Sequence, residues 1–166
     1  MNNDTLFSDL YSSPIGLLEI CGTDDFITTI QFLDKKCSDK MTLHQPLTRS
    51  WMLGNETKKQ LETYFSGKRR VFNLPLHLQG TPFQLTVWKT LQAIPYGETR
   101  TYEDIAKAIG NPKAARSVGQ ANNKNPFAIA IPCHRVIGKN EQLTGYAWGI
   151  QSKQMLLNLE NKNGKK

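Results

Sequence analysis

The spacing of apolar residues changes near residue 80, and this change restricts the chain to a fold with two dissimilar parts. Two short runs rich in Ile, Leu and Thr, at 13–20 and 26–33, are bounded by Gly and Asp as β-strands commonly are. Residues 55–67 then follow helical spacing and end at a glycine. Residues 68–80 are punctuated by a proline and a glycine, which indicates an extended connector. The first part is therefore predicted to be mixed α/β.

The second part opens with a helix-start signal. Thr81 stands three residues before Gln84, and Pro82 occupies the first helical position, as in a capping box. Five apolar residues then share one face of the predicted helix: Phe83, Val87, Trp88, Leu91 and Ile94. A turn at 94–97 follows this helix, and the second part is predicted to be mainly helical.

Two further helices are predicted on either side of a tight turn. The first spans 101–110, capped by Thr101 and stopped by Gly110, and the second spans 113–121. This arrangement has the shape of a helix-turn-helix, although helical hairpins with no role in DNA binding share it. Small residues cover most of the second helix. They suit either tight core packing or close approach to a narrow DNA groove with Arg116 projecting, a contact that would not depend on base sequence.

The excess positive charge lies entirely in the second part of the chain. Residues 1–80 contain nine Lys/Arg and nine Asp/Glu, whereas residues 81–166 contain twelve and five, which accounts for the net charge of +7. A basic domain beside a neutral one favours a polyanionic partner, most commonly nucleic acid. A basic surface that serves only solubility gives the same composition, so charge alone leaves both interpretations open.

The cysteine and histidine content favours a reduced, metal-free protein. Cys21, Cys37 and Cys133 are odd in number and widely spaced, so we expect free thiols and a cytoplasmic location. His44 and His77 add candidate zinc ligands, but no pair has zinc-finger spacing, and no metal is expected. The N-terminal residues lack a basic stretch followed by an apolar block, and no run is long enough to span a bilayer. Neither a signal peptide nor a membrane partner is expected.

Cys133 lies between Pro132 and His134, in surroundings that suit a nucleophile. An arbitrary cysteine is more often a small buried hydrophobe than a catalytic group. Here the proline fixes the backbone before the thiol, and His134 with Arg135 places potential positive charge beside it, which is expected to lower its pKa. A glycine-rich loop with two aromatic residues, at 139–149, is suited to closing over a planar group. Three nearby amides can brace turns: Asn122, Asn123 and Asn125.

These residues resemble the signature of the O6-alkylguanine-DNA alkyltransferases, also called methylated-DNA–protein-cysteine methyltransferases. That signature is Pro-Cys-His-Arg followed by a Gly-Tyr loop, which stands here as IPCHRVIGKNEQLTGYAWG. Further segments look like family segments in the family's order. They are SPIGLLEI, YFSGKRRVFNLPL, GTPFQLTVWKTLQAIPYGETRTY, GNPKAARSVGQANNKNPFAIAIPCHRV and KQMLLNLE. The resemblance covers nearly the whole chain, far more than chance would give.

The resemblance implies an α+β fold of two domains. Residues 1–80 would form a small N-terminal α/β scaffold domain that is ribonuclease-H-like. Residues 81–166 would form a mainly helical catalytic and DNA-binding domain with a winged-helix-like helix-turn-helix. The implied activity is DNA repair by direct damage reversal on double-stranded DNA that contains alkylated bases. No cofactor is implied, and the protein is expected to be a monomer.

The resemblance also implies a role for each catalytic residue. Cys133 would take the alkyl group from guanine O6, with O4-alkylthymine as a second candidate, in one irreversible displacement, so each molecule acts once. His134 would accept the thiol proton through a water held with Glu160. Asn125 would brace the turn that carries the thiol. Tyr102 would help to rotate the nucleotide and donate a hydrogen bond to the purine.

DNA contacts and the substrate pocket are assigned in the same way. Because guanine O6 takes part in base pairing, the base must leave the duplex, and Arg116 would fill the vacated stack from a helix in the minor groove. The DNA-binding residues implied are Ala114, Ala115, Arg116, Ser117, Gly119 and Arg135. The pocket residues implied are Tyr102, Val136, Tyr146, Ala147 and Trp148. The backbone N–H of Ala147 would face the guanine oxygen. Trp148 replaces a glycine of many relatives, so bulky alkyl groups are expected to react slowly.

Two other functions compete with this interpretation. A non-catalytic DNA-binding module or regulator would account for the basic second part, but the presence of Cys133 argues against it. A cysteine hydrolase could use Cys133 with His134, but it leaves the predicted helix-turn-helix and the uneven charge unexplained. A single methyl adduct on Cys133 would separate alkyl transfer from both alternatives.

Overall fold

The structure is a computed structural model that describes residues 6–33 and 51–164. Its internal contacts divide the chain into two units, Met1–Leu78 and Gln79–Lys166. Within the described residues, the first unit contains a three-stranded sheet and one helix, and the second is mainly helical. The α+β fold class predicted from the sequence is confirmed. Within the described ranges, no helix has the length and apolar composition needed to cross a bilayer.

The sheet of the first unit is antiparallel, and its three strands follow one another in chain order. The strands are β1 (Phe7–Ser13), β2 (Gly16–Gly22) and β3 (Ile27–Phe32). The two predicted strands correspond to β2 and β3. Strand β1 was not predicted, because its short stretch mixes serine and aspartate with apolar residues. Seven register pairs with β2, from Phe7–Gly22 to Ser13–Gly16, hold it in the sheet.

Helix α1 (Met52–Phe65) covers one face of this sheet. Alternate residues of β1 point toward it, because side chains of a strand alternate between faces. The Phe7 and Trp51 rings stack at 5.7 Å, and Lys58 Nζ lies 2.6 Å from Asp9 Oδ2. Leu61 and Tyr64 are fully buried, as their helical spacing predicted. The helix begins three residues earlier than the sequence pattern indicated.

The second unit begins at the predicted capping box. Helix α2 (Pro82–Gln92) starts after Thr81, whose hydroxyl accepts from the Gln84 backbone N–H while the Gln84 side chain accepts from the Thr81 N–H. The helix buries Val87, Trp88 and Leu91 in the core. The indole N–H of Trp88 donates to the Ala121 carbonyl over 2.9 Å, which fixes α2 against the helix that ends near residue 123.

The helix pair that follows matches the predicted order. Helix α3 (Tyr102–Ala108) is capped by Thr101, and Gly110 has the left-handed φ of 75° that turns the chain. Helix α4 (Ala115–Asn123) begins two residues later than predicted, because Asn111 to Ala114 form a hydrogen-bonded turn. Two short parallel strands, β4 (Arg100–Thr101) and β5 (Val136–Ile137), lie next to each other. Helix α5 (Ile150–Gly164) completes the unit.

Candidate active site

The candidate nucleophile stands on a short 3₁₀ turn, Cys133–Arg135, that leads into β5. Asn125 braces the chain before it. The Asn125 Oδ1 accepts from the Phe127 backbone N–H at 3.0 Å, and Nδ2 donates to the carbonyls of Phe127 and Ile131 at 3.2 and 2.9 Å. Because the side chain of Asn125 is itself buried, these three hydrogen bonds hold the segment 125–131, which leads to Cys133, in a fixed conformation.

A strained residue lies inside this brace. Ile129 is buried and has a φ of 69°, a left-handed conformation that β-branched residues rarely adopt. Such a conformation costs about 1–3 kcal/mol and persists only where surrounding contacts impose it. The bonds from Asn125, together with that from the Ile131 N–H to the Phe127 carbonyl at 3.0 Å, supply those contacts. The backbone is therefore held in one defined path up to Cys133.

The Cys133 thiol is fully buried, and burial raises its pKa to about 11. A hydrogen bond from Asn125 and the charge of Lys153 offset only part of this effect. The expectation that His134 and Arg135 lower this pKa is wrong. Burial lowers the pKa of His134, which keeps its ring neutral, and Arg135 is engaged with a carboxylate. The resting nucleophile is therefore a protonated thiol.

A buried carboxylate on α5 organises the residues after the thiol. Glu160 Oε1 lies 2.8 Å from His134 Nε2 and 2.9 Å from Arg135 Nη2, and Oε2 lies 2.9 Å from Arg135 Nε. The Gly97 backbone N–H donates to the same Oε2 at 3.0 Å. Burial alone would raise the pKa of Glu160, but the hydrogen bonds from His134 and Arg135 and the charge of Arg135 hold it well below its ordinary value. The carboxylate is ionised and fully surrounded by donors.

This carboxylate also decides which nitrogen of His134 carries the proton. A carboxylate oxygen can only accept, so Nε2 is the N–H donor and Nδ1 keeps its lone pair. Nδ1 is buried and has no hydrogen-bond partner among the described residues. A neutral imidazole with a free lone pair next to Cys133 in the chain has the tautomer that a general base needs.

Arg135 is not placed as a DNA-binding side chain. Besides its two bonds to Glu160, Nη1 donates to the Ile94 carbonyl at 2.6 Å, and the guanidinium lies 5.6 Å from the centre of the Tyr96 ring. The residue is 6% exposed. Its prediction as a DNA contact is therefore wrong, because all three guanidinium nitrogens are bonded inside the protein. Its role in the site is to hold the Glu160 carboxylate.

Lys153 belongs to the site, although it was not predicted from the sequence. It has no exposed surface, and Nζ donates to the carbonyls of Val136 at 2.5 Å and of Thr144 at 3.0 Å. Burial lowers its pKa to about 8, and the neighbouring Cys133 has the opposite effect. A signal was available in the sequence. Lys153 shares the helical spacing of the buried residues of α5, which are Leu156, Leu157 and Glu160.

Three of the other predicted pocket residues, at 146–148, lie in the loop that precedes α5, and Tyr102 contacts this loop. The Tyr102 hydroxyl lies 3.2 Å from the Thr144 carbonyl and 3.3 Å from that of Gly145. Tyr146 is buried, and burial together with the nearby Cys133 raises its pKa well above the usual value. Its ring meets Trp148 edge to face at 5.3 Å. Val136 is buried in β5, whereas Ala147 is exposed on the loop.

The predicted DNA-binding residues of α4 occupy two different surroundings. Arg116 and Ser117 are exposed, and Ala114 and Ala115 are partly exposed at the start of the helix. Gly119 lies on another side, where a Cβ atom would stand 3.7 Å from the Tyr102 ring. A Cβ atom at that distance makes an ordinary van der Waals contact, so packing against α3 does not require a glycine at 119. The exposed residues of α4 remain available for a partner.

The candidate zinc ligands do not form a site in the described part of the chain. Cys37 and His44 lie outside the described residues. Among residues 6–33 and 51–164, no three side chains of the types that bind metal ions lie close together. The free thiols within those ranges are Cys21 and Cys133.

Comparison with known proteins identifies the family. Residues 6–78 match the ribonuclease-like domain of 6-O-methylguanine DNA methyltransferase, and residues 82–162 match its DNA-binding domain. The chain is 46% identical to a methylated-DNA–protein-cysteine methyltransferase of Methanosarcina acetivorans, covering 93% of this chain and 98% of that protein. It is 48% identical to the constitutive methylated-DNA–protein-cysteine methyltransferase of Bacillus subtilis, covering 89% and 91%.

Solved structures agree with this result. The crystal structure of Mycobacterium tuberculosis O6-methylguanine methyltransferase has a TM-score of 0.85 and 43% identity, covering 95% of this chain and 94% of that one. A crystal structure of the M. tuberculosis protein in complex with DNA has a TM-score of 0.82 and 44% identity, covering 93% and 92%. The family resemblance seen in the sequence is confirmed, and the chain belongs to the 6-O-methylguanine DNA methyltransferase family.

Proposed function

We propose that this protein repairs DNA by moving the alkyl group of O6-alkylguanine to the Sγ atom of its own Cys133. The observation that carries the proposal is a thiol on a rigid turn, followed by a histidine whose far nitrogen is fixed by a buried carboxylate. Relatives named methylated-DNA–protein-cysteine methyltransferases, 46–48% identical to this chain, support it. The enzyme acts once, since the thioether that forms is not cleaved again.

Ionisation of the thiol is the first chemical step. With a pKa of about 11 for Cys133, only about one molecule in 10⁴ carries the thiolate at pH 7. His134 accepts the proton at Nδ1, through a water as the family resemblance implies, and Glu160 stabilises the imidazolium that results. The positive charge of Lys153 favours the developing thiolate, because it acts to lower the pKa of Cys133. The thiolate of Cys133 therefore forms only when His134 takes its proton during the reaction.

Alkyl transfer is then a single displacement at a saturated carbon. The thiolate attacks that carbon in line with the C–O6 bond, so that a C–S bond forms as the C–O bond breaks and its electron pair remains on guanine. The proton taken from the thiol balances this negative charge when it passes from His134 to the guanine. The Tyr102 hydroxyl, held near the 144–145 carbonyls by long bonds of 3.2 and 3.3 Å, can turn to donate to the purine.

Access of the base requires both DNA distortion and movement at the pocket. Cys133 has no exposed surface, and the Tyr146–Trp148 ring pair lies in the loop that follows β5. The exposed Arg116 on α4 is suited to fill the gap that an extruded base leaves, with α4 in the minor groove. The excess positive charge of residues 81–166 supports binding to the phosphate backbone.

The proposed function also implies an oligomeric state, a role for each domain and a location. It acts as a monomer on double-stranded DNA without a cofactor, with residues 1–80 as a scaffold domain and residues 81–166 as the catalytic and DNA-binding domain. A cytoplasmic location, where thiols stay reduced, suits a reaction that consumes one free thiol per repair.

A mass measurement tests the proposal. The protein is incubated with a duplex oligonucleotide that contains one O6-methylguanine, digested, and analysed by mass spectrometry. We expect one methyl group on the peptide that contains Cys133, and none after Cys133→Ser. Cys21→Ser is the matched control, because this second buried thiol lies in the sheet of the first unit, and it is expected to leave the adduct in place. A protein that only binds DNA gains no mass, and a hydrolase acts repeatedly; either result contradicts the proposal.

A further inference from the structure

Asn122 carries a buried polar atom that the proposed mechanism leaves unused. It lies in the last turn of α4 and is 2% exposed. Its Nδ2 donates to the Cys133 carbonyl over 3.4 Å. This contact fixes the orientation of the amide, because a carbonyl oxygen accepts only from the nitrogen end. The Oδ1 atom is buried and has no hydrogen-bond partner within the described part of the chain.

The unpaired oxygen contrasts with the polar groups next to it. The Ala121 carbonyl accepts from the Trp88 indole at 2.9 Å, and both ends of the Asn125 amide are bonded. Buried polar atoms are paired in the great majority of cases, and an exception inside a functional site indicates a place for a ligand or an ordered water. Asn122 Oδ1 is therefore a candidate acceptor for a donor on the substrate.

The position of Asn122 places it beside the reacting groups. Its amide is bonded to the carbonyl of Cys133, the residue that carries the attacking sulfur. It also stands three residues after Gly119, which packs against the Tyr102 ring. Residues three apart lie on the same side of a helix. Asn122 is thus on the side of α4 that faces Tyr102 and is in contact with the nucleophile residue.

The chemistry of the lesion identifies the donor. Alkylation at O6 removes the hydrogen from N1 of guanine, which leaves the exocyclic 2-amino group as the donor on the six-membered ring. O4-alkylthymine has no N–H group on its ring and presents an oxygen at the corresponding side. We propose that Asn122 Oδ1 accepts a hydrogen bond from the 2-amino group of the extruded guanine and so favours guanine over thymine lesions. This inference rests on the proposed function.

A matched pair of substrates isolates this contact. O6-methylhypoxanthine is the same base as O6-methylguanine without the 2-amino group. Single-stranded oligonucleotides with either base are used, so that base pairing does not enter, and second-order rates of methyl transfer are measured by mass spectrometry. The measured quantity is the ratio of the two rates, in the wild type, in Asn122→Leu, and in Asn123→Leu. Asn123 is the control because its side chain is exposed.

We expect the wild type to react about tenfold faster with O6-methylguanine than with O6-methylhypoxanthine, because one buried hydrogen bond contributes a rate difference of about that size. In Asn122→Leu the ratio is expected to fall by about the same factor, whereas Asn123→Leu keeps the wild-type ratio. A general loss of folding or reactivity lowers both rates of a variant and cancels in the ratio.

The outcomes separate this inference from the function on which it rests. Equal wild-type rates for the two bases, or an unchanged ratio in Asn122→Leu, would overturn the role of Asn122 while leaving alkyl transfer intact. If Asn122→Leu reacts with neither base, the ratio in Asn122→Ala, a smaller substitution, decides in the same way. No methyl transfer to the wild type, either in these single strands or in the duplex assay described above, would overturn the proposed function itself, and this inference with it.

Discussion

Replacement of Glu160 by glutamine tests the charge arrangement on which the active site depends. The carboxylate accepts four hydrogen bonds, from His134 Nε2, Arg135 Nη2, Arg135 Nε and the Gly97 N–H, at 2.8–3.0 Å. Glutamine has the same shape but only one acceptor oxygen. Its NH₂ group would face donors at the position of the second oxygen, and the buried Arg135 would lose its counter-ion.

The expected loss of stability follows from these contacts. Removing one partner of a buried ion pair costs about 3–5 kcal/mol, because the remaining charge stays buried without compensation. We therefore expect Glu160→Gln to lower the free energy of unfolding at pH 7 by about 3–5 kcal/mol. The matched control is Glu98→Gln, which removes an exposed ion pair with Arg100 at 2.8 Å and should cost less than about 1 kcal/mol.

Urea denaturation followed by circular dichroism measures both changes, with the slope of the transition as a check on cooperativity. The pKa of Glu160 is lowered in the folded state from its ordinary value of 4.5. Its contribution to stability is therefore fully present above pH 4.5 and is lost as the pH falls below that value. The difference between the wild type and Glu160→Gln should narrow as the pH is lowered from 4.5.

Two results would refute this reasoning. The first is a difference below about 1 kcal/mol between the wild type and Glu160→Gln at pH 7, which would place the pair among weak surface contacts. The second is a difference that stays constant as the pH falls below 4.5, since an ionised carboxylate paired with the Arg135 guanidinium must lose its contribution on protonation.

Three further predictions concern the reaction rate. Asn125→Ala removes the three hydrogen bonds that brace the turn before Cys133, and we expect methyl transfer to slow by about 10–100-fold. The rate is measured by quenched mass spectrometry, and an unchanged rate would show that the turn keeps its conformation without these bonds. Lys153→Met should slow methyl transfer at pH 7. The ratio of the wild-type rate to the variant rate should fall as the pH rises through about 8, where Lys153 loses its proton. A constant ratio across that range would contradict a role for its charge. Trp148→Gly should speed reaction with O6-benzylguanine more than with the methyl lesion in paired rate measurements, because the family resemblance implies that the indole lines the pocket. Equal benzyl rates for the wild type and the variant would contradict this.

Local signals predicted the elements that depend on local chemistry. The capping box at Thr81 and Gln84 formed as expected, because its partners are three residues apart. The start of α4 was two residues off, because the turn after Gly110 continues through Ala114. Strand β1 was missed, because its extended conformation depends on pairing with β2 and is not indicated by its own composition.

In the site too, contacts between residues distant in sequence decide properties that neighbouring residues in the sequence do not indicate. The sequence placed His134 and Arg135 beside the thiol, and from this adjacency a lowered pKa was expected for Cys133. In the fold, Arg135 is paired with Glu160, 25 residues away, and the thiol is fully buried, so its pKa rises to about 11. Lys153 was missed because a lysine in a helix is normally exposed. Only the fold places two carbonyls where its ammonium can bond.

The deep placement of Cys133 has a consequence for the lifetime of the unreacted protein. A thiol that stays protonated and out of contact with solvent is a poor target for peroxide and for small electrophiles, which attack exposed thiolates. Oxidation of Cys133 to the sulfinic or sulfonic state is not reversed by ordinary thiols, so it would end the proposed reaction. The same enclosure that demands an opening step during catalysis thus preserves the unused molecule between encounters with damaged DNA.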